Sequence, residues 1–182
     1  QSLINPGRRL KSDHRIKFPG GCEYELISKD NEGIWTGRLF GILAENLQDW
    51  LMEKGTIPLP PYIKREAVSS DWQRYQTTYA EINGSLAAPT AGFHYTEQLM
   101  RGLEAKGSSL CFLSLDIGLG TFQPLRSADL SGFKIHRETY YIPNDTAESI
   151  NRCSVDNARI TVVGTTVMRC LESAASDNGQ VV

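Results

Sequence analysis

The sequence predicts an α/β domain, a mixed sheet with flanking helices, joined to a small β-barrel-like domain. Three observations carry that reading. Two apolar runs of strand length, "LCFLSLDI" at 110–117 and "RITVV" at 159–163, read as strands buried on both faces. Residues 1–41 alternate like antiparallel β. Between these halves lies "TIPLPPYIKRE", where Pro58, Pro60 and Pro61 forbid helix and favour an extended strap. The boundary is placed there, with residues 1–57 in the small domain and its following helix, and residues 58–182 in the α/β domain.

In the first part, Ile16 and Phe18 alternate with polar residues until Pro19-Gly20-Gly21 ends the run. Residues 22–28 and 34–40 make a hairpin around "KDNEG", with Gly33 free to take positive φ. Leu43, Leu47, Trp50 and Leu51 form one apolar helical stripe, stopped by Gly55 at C′. Past the strap, Asp71 is placed to cap a short helix carrying Trp72, Tyr75 and Tyr79.

The second part begins with "GSLAAPTAGFHYTEQLM". Thr96 suits the N-cap of a helix over 97–106, with Leu99, Met100 and Leu103 inward and Gly107 beyond its end. The strand at 110–117 runs into "GLGTF". Residues 133–142 alternate like another strand. Asp145 and Glu148 have capping-box spacing for a helix over 146–152. The 159–163 strand passes through Gly164 into a helix with Val167, Met168, Leu171 and Ala175 inward.

Composition sets bounds. The chain has 182 residues, 40% hydrophobic and 22% charged, with formal net charge −2. That is globular composition, and it neither announces nor excludes a nucleic-acid partner. No apolar run approaches the ~20 residues of a membrane helix, so no membrane partner is expected. Cys22, Cys111, Cys153 and Cys170 lack C-x-x-C spacing. They read as reduced structural thiols of a cytoplasmic protein, and no metal-ligand cluster is visible. The start at Gln1 and the polar "SDNGQVV" end suggest a segment of something longer.

Several motifs can carry chemistry. Gly118 and Gly120 in "GLGTF" follow a strand, where ligands of open α/β sheets sit; a plain tight turn is the alternative. In "VVGTTVMR" the free N–H groups of a helix start suit a phosphate or carboxylate, with Arg169 one turn in; a simple threonine cap is the alternative. In "KIHRETYY", His136, Glu138 and Tyr140 share a strand face, so a histidine and a carboxylate can share a proton. An exposed edge face is the alternative. Asp116 ends a strand expected to be buried, an awkward place for a carboxylate without a partner. His94 sits among small residues ahead of a helix. Arg8, Arg9, Lys11, Arg15 and Lys17 form a basic run that suits a nucleic-acid backbone or simply a solvated face.

The series "YQTTYAEINGSLAAPTAGFHYTEQLM", "LDIGLGTFQPL", "IHRETYYI" and "ITVVGTTVMRCLESAA" resembles the S-adenosylmethionine:tRNA ribosyltransferase-isomerases of queuosine biosynthesis, the QueA family. "PGRRLK", "GRLFG" and "IPLPPYIKRE" extend the likeness over almost the whole chain. The family is longer at both ends, with an "NDTRVIPARLFG"-like segment before and a "TNFHLP"-like segment after. Its fold is an α/β domain interrupted by a small β-barrel. Two departures stand out: Leu115-Asp116-Ile117-Gly118 replaces "LHVG", and His136-Arg137-Glu138 replaces "HSE".

The resemblance implies a transferase-isomerase. It would move the ribosyl part of S-adenosylmethionine onto 7-aminomethyl-7-deazaguanine at the tRNA wobble position and rearrange it to epoxyqueuosine, releasing adenine and methionine. S-adenosylmethionine is then a substrate, and no metal is required. A base must remove a proton from the ribose 5′ carbon beside the sulfonium. His136 and Glu138 are the first candidates, His94 the second, and Asp116 an orienting residue or substitute base. Gly118, Gly120 and Thr121, with Gly164, Thr165, Thr166 and Arg169, would hold S-adenosylmethionine. Arg74, Tyr75 and Gln76 would hold tRNA or stack on its base. Thr90, Ala91 and Gly92, with Ala87 and Ala88, would leave room for a nucleoside. The rival reading is a non-catalytic tRNA-binding fragment.

Overall fold

A computed structural model describes residues 1–4, 7, 9–60, 62–119 and 137–181. The chain divides into two compact units, one built on Gln1–Pro58 and the other on Leu59–Gly118 and Arg137–Val182. The architecture is α/β, with helices and small antiparallel sheets.

In the first unit, β1 (Arg15–Lys17), β2 (Glu23–Lys29) and β3 (Trp35–Phe40) form a three-stranded antiparallel sheet in that order. Alternation along β2 turns Tyr24 and Leu26 inward onto Trp35, with Ile4, Leu10, Ile16 and Leu39 packed around them. A bulge between Leu26 and Ser28 shifts the register, and Ile27 is exposed there. The hairpin turn is local chemistry. Asp30 Oδ1 accepts from the backbone N–H groups of Glu32 (2.9 Å) and Ile34 (2.8 Å), and Gly33 takes φ +87°. Among the described residues the sheet stays open, without barrel closure.

The helix that follows differs from expectation. A 3-10 turn covers Ala44–Asn46, and α1 runs only over Leu47–Lys54 with no buried residue. Leu43 and Leu51 of the expected apolar stripe are exposed. Gly55 is extended at φ −80°, not left-handed; glycine is needed because a β-carbon there would overlap the Leu51 carbonyl oxygen.

In the second unit, α2 (Asp71–Arg74) begins at Asp71, which is not its cap. The Asp71 carboxylate instead reaches back into the strap. It accepts from Arg65 Nη1 (2.7 Å), Arg65 Nη2 (2.8 Å) and the Val68 N–H (2.8 Å). The two-pronged guanidinium contact ties the strap to the helix start. These bonds, the Arg65 pair first, hold the Asp71 carboxyl well below the usual carboxylate range. A depressed folded-state pKa gives stability that is complete above the unfolded value of about 4 and lost as pH falls through the folded one. Asp71→Asn is therefore expected to flatten the acid limb of an unfolding-versus-pH curve below about pH 4. An unchanged acid limb would sink this account.

α3 (Glu97–Ala105) has the expected cap, with Thr96 Oγ1 accepting from the Leu99 N–H at 3.2 Å, and Gly107 takes φ +86°. Leu99, expected inward, is exposed. The 110–117 run forms only the short strand β4 (Ser114–Asp116), antiparallel to β5 (Thr139–Tyr141). Cys111, Phe112 and Asp116 are exposed, so burial on both faces is not realised and Asp116 is no buried carboxylate. α4 (Asn144–Val155) is longer than expected and starts without the Asp145/Glu148 capping box. Its Thr146 hydroxyl is buried and donates to the Phe112 carbonyl at 3.0 Å.

Residues 159–163 carry no strand ladder, and residues 159–161 are exposed. An apolar run can become a central strand only where neighbours pair both edges. In α5 (Thr165–Ala174) the buried residues are Cys170 and Ala174, with Val167 and Leu171 half-buried; Met168 and Ala175, expected inward, are exposed. Asn151 closes the end of the unit. Its amide donates to the Val181 carbonyl (3.0 Å) and accepts from the Val181 N–H (2.9 Å). Cys22, Cys111, Cys153 and Cys170 are all free thiols; Cys111 is exposed, unlike the structural role expected for it.

Candidate functional site

A cavity of about 420 Å³ lies within the second unit. Its walls are the 76–89 segment, the stretch flanking β4, the end of β5, and the start of α5. The 84–87 segment is fastened to Ile117, just past β4, by two hydrogen bonds. The Leu86 N–H donates to the Ile117 carbonyl at 3.0 Å, and the Ile117 N–H donates to Ser85 Oγ at 3.2 Å. Ser85 Oγ in turn donates to the Ala87 carbonyl at 3.0 Å. The small residues thus let one backbone run close beside another.

Tyr79 builds one wall. Its ring meets Phe112 at 5.3 Å with a 50° tilt. Its hydroxyl lies over Gly92, where a β-carbon would overlap it and stand 2.8 Å from Thr77 Cγ2. Burial pushes the Tyr79 phenol up from its ordinary pKa, and the nearby Tyr95 adds to the shift. Gly164, at φ +91°, opens α5; a β-carbon there would lie 3.4 Å from the Ala91 methyl. No threonine side chain caps α5.

In the same unit, outside the cavity lining, Arg169 Nη1 donates to Glu138 Oε2. The Glu138 side chain is 3% exposed and that of Arg169 is 40% exposed. The pair joins the residue before β5 to the second turn of α5. Cys170 is buried beside them, and that burial raises its thiol pKa.

The matching family model is described as queuosine biosynthesis protein, and it covers residues 1–181. This chain belongs to that family. Similar relatives include the S-adenosylmethionine:tRNA ribosyltransferase-isomerases of three bacteria. The Citrifermentans bemidjiense protein is 40% identical over 179 residues, 98% of this chain and 51% of its own length. The Geobacter metallireducens protein is 36% identical over 181 residues, 100% of this chain and 52% of its own. The Clostridium kluyveri protein is 39% identical over 184 residues, again 100% and 52%. The chain spans about half the length of the curated relatives it matches.

The queuosine-family motifs converge only in part. Gln76 and Thr166 line the cavity, as does Ala87. Gln76 Oε1 accepts from the Thr77 N–H at 2.8 Å. His94 is exposed at the end of the 3-10 turn Thr90–His94 and does not line it. Asp116 faces Gly84, whose β-carbon would lie 3.5 Å from Oδ1. Gly118 and Thr165 are exposed outside the cavity, as are Arg74, Thr90 and Ala91, while Gly92 is buried beneath Tyr79. Tyr75 is occupied by an edge-on contact to Phe93 at 5.2 Å. His136, Gly120 and Thr121 lie outside the described residues.

In the first unit the basic run is partly neutralised. Arg15 pairs with Glu25 at 2.9 Å and Glu23 at 3.5 Å, and stacks over Phe40. Lys17 reaches Glu23 at 3.7 Å. Arg8 lies outside the described residues.

Sequence reasoning missed Asn83, Phe112, Ser114 and Tyr141 as cavity residues. The Tyr140-Tyr141 doublet was the available signal, since strand alternation turns one of the two to each face. Among the described residues, no cluster of three or more His, Cys, Asp or Glu could hold a metal, and no helix is long and apolar enough to cross a membrane.

Proposed function

We propose that this chain forms part of an S-adenosylmethionine:tRNA ribosyltransferase-isomerase. It would transfer the ribosyl group of S-adenosylmethionine to 7-aminomethyl-7-deazaguanine at the tRNA wobble position, rearrange it to epoxyqueuosine, and release adenine and methionine. The observation that carries this reading is the family match over residues 1–181. The cavity supports it, being within the usual range for a small-molecule site. In this reading the three-stranded sheet is part of the small barrel that the family resemblance implies, and the protein works in the cytoplasm, where its tRNA is.

The chemistry divides among few groups. Removing the 5′ proton beside the sulfonium needs a base. We assign that work to His136 with Glu138. Arg169 is given a different role from the one its motif suggested: its guanidinium holds Glu138 in place, rather than reaching for the methionine carboxylate. Thr166 and the Gly164 turn, at the cavity end of α5, border the S-adenosylmethionine side. Gln76 borders the tRNA side.

The test is adenine release from S-adenosylmethionine by the full-length protein with its tRNA. The wild type should release adenine, and His136→Ala and Glu138→Gln should each lower turnover by about 100-fold or more, the scale of general acid–base catalysis. Near-normal turnover in both variants would remove the base assignment. Salt-sensitive tRNA binding by the wild type without adenine release would favour a binding fragment instead.

A further inference from the structure

Three residues on the cavity wall share a feature that the motifs do not explain. Ser114 of β4 is directly opposite Tyr141 of β5, so their side chains rise from the same sheet face. Phe112, two residues before Ser114, lines the same cavity. Phe112 is 45% exposed and Tyr141 is 62% exposed. A small side chain therefore has one large, solvent-facing aromatic directly across the ladder and a second two residues earlier in its own chain, and all three line one cavity.

The slot is braced. Tyr79 meets the Phe112 ring at 5.3 Å, and the Phe112 carbonyl accepts from the buried Thr146 hydroxyl. Ladder pairing fixes the backbone of Tyr141. Hydrogen-bonding groups stand nearby. Asn83 lines the cavity, and so does Gln76, whose Oε1 is taken by the Thr77 N–H while its amide N–H groups remain to donate.

We propose that Phe112 and Tyr141 form an aromatic slot, floored by Ser114, that takes one planar purine-like base. Asn83 and Gln76 read the edge of that base. Aromatic side chains stack on any base face, and amides supply the paired donors and acceptors that purine edges need. The ribosyltransferase reading supplies two bases of this chemistry: the adenine of the donor and the deazaguanine of the acceptor. The choice of these two rests on that reading, whereas the slot rests on the cavity and the β4–β5 register.

The experiment is equilibrium binding of adenosine and of 7-deazaguanosine to the full-length protein. The variants are Tyr141→Leu, Tyr141→Phe and Ser114→Leu. Tyr141→Leu should weaken the occupant by about tenfold, and Tyr141→Phe by no more than about threefold, because stacking needs the ring and not the hydroxyl. Ser114→Leu fills the slot and should weaken the same nucleoside by about tenfold or more. Loss for adenosine assigns the slot to the donor, and loss for 7-deazaguanosine assigns it to the acceptor. Binding of both within about twofold of wild type in Tyr141→Leu and Ser114→Leu would overturn the slot, as would a wild type that binds neither. Adenine release, measured in parallel, reads the ribosyltransferase assignment separately: it can fail while the slot still binds a nucleoside.

Discussion

Replacing Arg169 with alanine is expected to destabilise the protein by about 3 kcal/mol, read from the midpoint of urea unfolding. The change takes a guanidinium away from a carboxylate whose side chain is 3% exposed. Breaking a buried pair from one side costs more than breaking a surface pair, because the remaining carboxylate keeps its desolvation cost and loses its guanidinium. The value sits at the low end of the usual range because Arg169 itself is 40% exposed. A control lies in the same unit. Arg101 and Glu97 form an i,i+4 pair at 3.0 Å, with side chains 78% and 70% exposed. Arg101→Ala should cost about 0.5 kcal/mol or less. Similar losses from the two substitutions would mean that Glu138 and Arg169 do not act as a buried pair.

Glycine-to-alanine changes at positions 92 and 102 should have opposite signs. At Gly92 the added methyl overlaps the Tyr79 hydroxyl and stands 2.8 Å from Thr77 Cγ2. Both Gly92 and Thr77 are buried, so the neighbours have little room to give. The expected cost is about 1–3 kcal/mol. At Gly102, inside α3, nothing lies within 4 Å of the new methyl. There alanine should stabilise by about 0.5–1 kcal/mol, through a smaller loss of backbone freedom on folding. A double-mutant cycle sharpens the first case: Tyr79→Phe removes the overlapped hydroxyl and should recover part of the Gly92→Ala loss. If Gly92→Ala is neutral, Tyr79 is not held against that glycine. Displacing Tyr79 would also shift a cavity wall, so the same variant should weaken ligand binding.

What the sequence revealed depended on the range of the interaction. The hairpin turn at Asp30–Gly33 and the Thr96 cap were legible because each is made by residues within a few positions of one another. The family was legible because its motifs span nearly the whole chain. The extent of the strands was not. "LCFLSLDI" and "RITVV" record a suitability for burial, but pairing is made by distant residues, and the 110–117 run finds a strand partner for only three of its residues. The Asp71 clasp was misread for a related reason. Its spacing fits a cap, but Arg65 and the Val68 N–H compete for the same oxygens and win them. In the site, Gln76 and Thr166 were found through motifs, while Phe112 and Tyr141 were not. The Tyr140-Tyr141 doublet hinted at Tyr141, but the fold alone brings it opposite Ser114 and sets Phe112 on the same cavity.

The meeting of Ala91 with Gly164 bears on how this sequence can drift. At position 164 any side chain faces two obstacles, a left-handed φ of +91° and a methyl 3.4 Å away. Shrinking Ala91 to glycine removes only the second. Position 91 is exposed and has no left-handed φ. Tolerance between the two is therefore one-sided: no change at 91 makes 164 permissive, whereas 91 can vary toward solvent. Mutations at this joint should behave epistatically in one direction only.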